Sequence, residues 1–308
     1  MTIGSPARRI ADFWWTYEGP TFVLAAGIYG GWAALLWFHA SLPWWIWLPP
    51  CVYLVALQFS LQHESIHAMR RVPIWLRWAL VYPPLGLWLP YPLYNRGHSR
   101  HHRNRFITDP YEDPESFYHT ATRWQAIGPV WRAIHLTNQT LLGRIVFGPF
   151  VRLYRLVVRE TGLLACRDFS NRRIWFWHAL MLALIYAWVD TICGLPFWQY
   201  VVFVAYPAFG IGLIRSFYEH RWAPLPGQRV ASVESGWFFG FLFLFNNLHV
   251  AHHLRPTIPW YELRGFYWAN RDKLLAHNAG YVFPGYRTIA ARWLVIPVFR
   301  PVHPVRND

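Results

Sequence analysis

Gly97-His98-Ser99-Arg100-His101-His102, continued by Arg103-Asn104-Arg105-Phe106-Ile107-Thr108-Asp109-Pro110, decides how the rest of the chain is read. Histidines at i, i+3 and i+4 share one side of a helix, within reach of one or two metal ions. The chain uses the device twice more. His63-Glu64-Ser65-Ile66-His67 sets histidines at i and i+4, and His249-Val250-Ala251-His252-His253 repeats i, i+3 and i+4. Eight imidazoles in three stretches predict a metal site, and the remaining sequence reads as the scaffold that gathers them.

That scaffold is expected to lie in a membrane. Of the 308 residues 55% are hydrophobic and 19% aromatic, while 14% are charged, well below the roughly 25% of soluble domains. The net charge of +14 comes almost wholly from arginine, Lys273 being the one lysine. With long apolar runs present, such a charge suits anionic lipid head groups, and no nucleic-acid partner is expected. Cys51, Cys166 and Cys193 are isolated, which excludes a disulfide framework and a zinc ribbon. No small-residue cleavage site follows the first apolar run, so a cleaved signal peptide is not expected.

In chain order, residues 1–20 read as an interfacial lead-in, with Arg8 and Arg9 followed by Trp14, Trp15 and Tyr17. Spans are predicted at about residues 21–40 and 43–62, then at about 174–193 and 195–214. Val72–Tyr91 is apolar but broken by prolines, which suits an interfacial or re-entrant segment. Thr120–Gly162 mixes arginine with apolar residues, as helices on a membrane surface do. Gly236–Leu248 is apolar but too short to span. No repeat or linker divides the chain, so residues 1–308 are expected to form one domain. No Lys or Arg occurs from Ile10 to Met69 or from Ile174 to Ile214. Each gap covers one two-span hairpin, so all the positive charge falls on one side, expected to be cytoplasmic together with both termini and the histidines. The fold class expected is an all-α integral membrane protein of four spans, with interfacial helices and a cytoplasmic cap holding the metals.

Imidazole suits iron, zinc, copper and nickel. Structural zinc prefers cysteine and needs only four ligands, so eight histidines fit two ions better, and redox iron suits C–H chemistry. His63-Glu64-Ser65-Ile66-His67 is also a literal HExxH, the zinc protease motif with glutamate as general base. That reading leaves six further box histidines idle. A haem- or quinone-binding protein leaves most of them idle as well, since haem takes two axial ligands. His39, His119, His135, His178, His277 and His303 lie outside the boxes and read as structural.

The three boxes resemble those of the membrane fatty acid desaturase superfamily, which also holds alkane hydroxylases, carotenoid ketolases and sphingolipid hydroxylases. The superfamily pattern of HxxxH, HxxHH and a late HxxHH is matched by HESIH (63–67), HSRHH (98–102) and HVAHH (249–253). DPYEDPES (109–116) is similar to the acidic segment that follows the second box, and NNLHVAHHLRPTIPWYEL (246–263) to the third-box context of bacterial members. The resemblance implies two non-haem irons, dioxygen as co-substrate, a lipid or acyl-chain substrate, and electrons from an external carrier. It implies as metal ligands His63, His67, His98, His101, His102, His249, His252 and His253, with a further histidine after the fourth span, where His220 stands. Asn246 or Asn247 is placed to hold a metal-bound water. Among Asp109, Glu112, Asp113 and Glu115, Asp109 is the leading candidate to orient a ligand, and Glu64 is a further one. No HPGG haem motif and no cysteine cluster is present, so the carrier is expected to be a separate ferredoxin-, rubredoxin- or cytochrome b5-like protein docking on the arginine-rich cytoplasmic face. The reaction implied is acyl desaturation; hydroxylation or ketolation uses the same ligands, so the boxes leave these open.

Overall fold

The computed structural model describes residues 12–103 and 105–308; Arg8 and Arg9 of the expected lead-in lie outside these. Helix α1 (Gly19–Trp37) opens on Pro20 at its first turn, where the missing N–H costs nothing. Helix α2 (Trp44–His67) follows a tight turn at residues 39–43. Its end differs from the expected one at residue 62: the helix runs on through the first box. The polar residues of that stretch have internal partners. The Gln58 and Gln62 amides donate to the carbonyls of Pro83 and Val81, each at 3.0 Å, and the Ser60 hydroxyl donates to Leu242 O at 2.7 Å. Satisfied polar groups remove any reason for the helix to stop at them.

Short helices α3 (Ile74–Val81) and α4 (Tyr91–Arg103) follow, the second carrying the second box. Next come α5 (Ala121–Ala126), α6 (Pro129–Thr137) and the long α7 (Leu141–Ala165). The second hairpin is α8 (Arg172–Ile192) and α9 (Phe197–Ser216), each with a wider π-helical turn, at 187–192 and 200–205. Together α1, α2, α8 and α9 are the four helices, among the described residues, that are long and apolar enough to cross a membrane. The chain ends in α10 (Trp237–Leu242), α11 (His249–Leu254), α12 (Trp260–His277) and α13 (Tyr286–Trp293). A two-residue parallel pair, β1 (Ser232–Val233) with β2 (Val282–Phe283), ties the loop after α9 to the loop after α12. The protein is thus all-α and membrane-spanning.

Helix α2 is central, packing on α1 and α9, while α9 packs on α7. The α7–α9 crossing is close because Gly210 lacks a side chain: a Cβ there would collide with the Ile145 carbonyl. Large apolar side chains such as Trp44, Trp45, Phe176, Leu184 and Val202 remain outside, as lipid-facing helices require. The start of α1, the ends of α2 and α9 and the start of α8 lie at one end of the bundle. Trp260, which opens α12, donates its backbone N–H to Glu64 at 2.9 Å and its indole N–H to Thr21 at 3.2 Å. Arg215 of α9 sits 3.4 Å from His63, and Arg96 donates to Asn171 at 3.1 Å.

Helix α7 is amphipathic and keeps its apolar side outward, the side a membrane-surface helix offers to lipid. Val146, Phe147, Phe150, Tyr154, Val157 and Val158 are exposed, whereas Arg144 is fully buried and Arg152 and Arg155 are half-buried. Its basic side faces the protein and its apolar side faces out.

Residues 294–308 lie back across the segment before α5 and the start of α7. Leu142 N–H donates to Leu294 O at 2.9 Å, His119 N–H to Pro301 O at 2.7 Å, and His303 N–H returns to His119 O at 2.8 Å. His303 is therefore a buried structural residue, and His39 and His178 likewise meet helix and loop carbonyls, those of Leu36 and Leu87.

Candidate metal centre

Four segments deliver nine histidines to the end of the bundle. The last turn of α2 supplies His63 and His67, and α4 supplies His98, His101 and His102. The loop after α9 supplies His220, held by a backbone bridge to Val230. Helix α11 supplies His249, His252 and His253. It is aimed by two successive left-handed residues, Leu244 and Phe245 (φ 48° and 58°), which reverse the chain after α10. Left-handed backbone costs about 1–2 kcal/mol per non-glycine residue, and the buried surroundings of this turn fix it.

The nine fall into two groups: His63, His67, His98, His102 and His252 in one, and His101, His220, His249 and His253 in the other. Within each, one nitrogen per ring lies within 4.8 Å of all the others. A ring nitrogen binds a divalent ion at about 2.1 Å, so ligands on opposite sides of it stand about 4 Å apart. Neither HxxHH box serves a single group. His98 and His102 join the first group and His101 the second; His249 and His253 join the second and His252 the first. Adjacent helical residues point about 100° apart, so each His-His pair divides between the groups and ties them together.

The nitrogen contacts fit a cation. Nε2 of His220 faces Nε2 of both His101 and His249 at 3.1 Å; Nε2 of His252 and His102 face at 3.1 Å, and those of His253 and His249 at 3.0 Å. One proton can serve each contact at most, so lone pairs converge. His98 Nε2 and His67 Nε2 are buried without a partner, a costly arrangement that metal binding would relieve.

Three carboxylates hold the far side of the rings. His98 Nδ1 donates to Glu115 at 2.8 Å and His101 Nδ1 to Asp113 at 2.8 Å, while Glu219 lies 3.3 Å from His249 Nδ1 and 3.2 Å from Arg215. A carboxylate on Nδ1 leaves Nε2 free to bind a metal and raises its basicity. Burial pushes the pKa values of His98, His102, His220, His249, His252 and His253 down, which keeps these rings neutral and able to ligate. His101 goes the other way: burial lowers it, but the charges of Glu115 and Asp113 outweigh burial and lift it to about 9. Glu115 and Asp113 are themselves held below the usual carboxylate range, because facing histidines outweigh the effect of burial. The site thus presents neutral donors inside an anionic surround, except that His101, facing two carboxylates, favours its charged form until a cation takes the proton's place.

Residues 42–285 match the family model for fatty acid desaturases, four-fifths of the chain. The protein belongs to the fatty acid desaturase family. It is thereby an oxidoreductase associated with a membrane, with a lipid substrate and a metal site. No individual curated protein matches the chain.

Other expected site residues of this desaturase-family protein lie elsewhere. Asp109 touches no box histidine; it accepts from the N–H groups of Tyr111 and Glu112 and pairs with Arg306 at 2.7 Å. It thereby shapes the loop whose later residues, Asp113 and Glu115, do reach the rings. The reason is a reversal at Thr108 (φ 80°), whose N–H donates to Asp113 at 2.8 Å. Glu64 accepts from the Trp260 N–H and points to the start of α12, away from the role a protease general base needs. Asn247 donates to Val233 O at 2.6 Å and is structural, whereas Asn246 is buried with an unpartnered Nδ2 and its carbonyl lies 3.2 Å from His249 Nδ1. Glu219, the neighbour of His220 in the sequence, reaches His249 and Arg215. None of the remaining six histidines, His39, His119, His135, His178, His277 and His303, belongs to either group. A cavity of about 370 Å³ abuts the first group through His98 and runs along Phe59, Trp88, Phe209, Leu213 and Phe243.

Proposed function

We propose that this protein is a di-iron enzyme that oxidises an unactivated C–H bond in a lipid-like chain with dioxygen, and that its reaction is acyl desaturation. The observation that carries the reading is the partition of nine histidines into two adjoining groups beside an apolar cavity. All nine, including His220, are assigned as metal ligands, with Asp113, Glu115 and Glu219 orienting His101, His98 and His249. Bound there, an iron pair supplies the activation of dioxygen that such a bond requires. The rings and carboxylates hold that pair in fixed geometry, and the apolar walls align the chain and keep water from it. Asn246 is assigned to bond a metal-bound water, a role its buried, unpartnered Nδ2 supports. Electrons come from a separate carrier, and the exposed Arg70, Arg71, Arg100, Arg103 and Arg105 beside the first two boxes support its docking there. The two arginine-free hairpins support a cytoplasmic position for this end of the bundle.

Lipid analysis of a host expressing the protein, with His101→Ala as the inactive reference, tests the reading. Chains that have lost two hydrogens are expected with the unaltered protein only. Chains that instead gain one oxygen would assign hydroxylation to the same site. Identical lipids in both strains, with iron and oxygen in excess, would overturn the proposal.

A further inference from the structure

We propose that the cavity takes a lipid chain ending in an anionic oxygen head, a carboxylate or phosphate monoester, and that Arg152 and Arg155 hold that head while the chain runs along the apolar wall past His98. The proposal rests on the reading above for the bond that is oxidised, but not for how the ligand is held.

The cavity has two kinds of wall. Phe59, Phe209, Leu213 and Phe243 form an apolar one. Arg152, Arg155 and Arg159 form a basic one, at i, i+3 and i+7 of α7 and so on one helix face. On that face Arg152 and Arg155 are half-buried and Arg159 stays exposed at the rim, while on the opposite face Phe150 and Val157 remain 45% and 57% exposed. An arginine stripe is normally the solvated side of a helix; turning it towards a cavity has a desolvation cost that needs a compensating group. Among the described residues no carboxylate makes an ion pair with Arg152 or Arg155, and the charges of Glu115 and Glu219 act on Arg152 only at longer range. Arg155 donates one bond to the Ser116 carbonyl at 3.0 Å, and the Arg152 Nε is buried without a partner. Arg159 is partly spoken for by Glu160 at 2.9 Å. Glu115, the one carboxylate among the lining residues, is bonded to His98 at 2.8 Å, and Arg215 has Glu219 at 3.2 Å. Arg144 adds a further buried positive charge on the same face, stacked 3.7 Å from the Phe117 ring. Burial pushes Arg155 down to about 10, with Arg152 and Arg123 adding to the push. A planar guanidinium with free N–H groups matches carboxylate and phosphate oxygens. An uncharged hydrocarbon or an alcohol leaves these arginines without an ion-pair partner.

The test is displacement of a fluorescent conjugated fatty acid from purified, metal-loaded protein in detergent. Competitors are hexadecanoate, hexadecyl phosphate, hexadecanol and inorganic phosphate. The two charged amphiphiles are expected to compete about tenfold to a hundredfold better than the alcohol, the range of hydrogen bonds to charged groups. Their advantage should vanish in Arg152→Gln/Arg155→Gln and survive in part in Arg155→Lys, with metal content unchanged as proof of folding. Inorganic phosphate should not compete; if it matches hexadecyl phosphate, the site is for a free anion and the proposal fails. Equal competition by the alcohol, or an unchanged advantage in the double variant, also overturns it. Head-selective binding without any oxidised product would sink the proposed reaction alone, and oxidation without head selectivity would sink this proposal alone.

Discussion

Replacing His220 by alanine is expected to strip metal from one of the two groups and to leave oxidised product below detection, while membrane insertion proceeds normally. His220 is the pivot of the second group: its Nε2 lies 3.1 Å from both His101 Nε2 and His249 Nε2. Without it three donors remain, His101, His249 and His253. The first group keeps all five donors, so metal content should fall towards half rather than to zero. His101→Ala should behave in the same way, since it removes a donor from the same group. His277→Ala is the control, because His277 is exposed at the end of α12 and belongs to neither group. His303 is unsuited to that purpose, being a buried residue of the returning tail itself. Metal and product at the level of the unaltered protein in His220→Ala would remove the residue from the site.

The second large effect is expected at Asp113. Its carboxylate accepts from His101 Nδ1 at 2.8 Å, from Glu115 N–H at 2.9 Å and from Thr108 N–H at 2.8 Å. Asp113→Asn keeps the shape but removes the charge that favours a cation and an acceptor that fixes the His101 tautomer. Outer partners of ligating histidines are worth about tenfold to a hundredfold in metal affinity. Metal competition against a chelator should show a loss of that size for Asp113→Asn and a much smaller one for Asp109→Asn, whose carboxylate faces Arg306. Equal losses at the two positions would mean that both act only through the shape of the loop.

The contrast between Asp109 and Asp113 shows where the sequence stops being informative. The acidic run 109–116 is visible as a run, but which carboxylate meets a ring depends on a reversal at Thr108 with positive φ, a conformation no pattern of residue types announces. The four spans were legible because each is an apolar stretch without arginine. Their ends were less so: the polarity of Gln62, His63 and Glu64 suggested a stop, whereas partners on other segments allow α2 to continue to His67. The boxes revealed the histidines at helical spacing, and the ninth, His220, was suggested only by the family resemblance, which implies a further histidine after the fourth span. How the adjacent pairs divide between two groups depends on where four segments meet in space. The same limit applies to α7: its arginines and apolar residues were plain, but only packing against Gly210 of α9 and against the cavity turns the basic side inward.

If these nine histidines form one two-metal oxidation site, metal analysis of protein purified from cells supplied with both iron and zinc should find two irons per chain, falling towards one in His220→Ala. A single zinc per chain and no iron would contradict it.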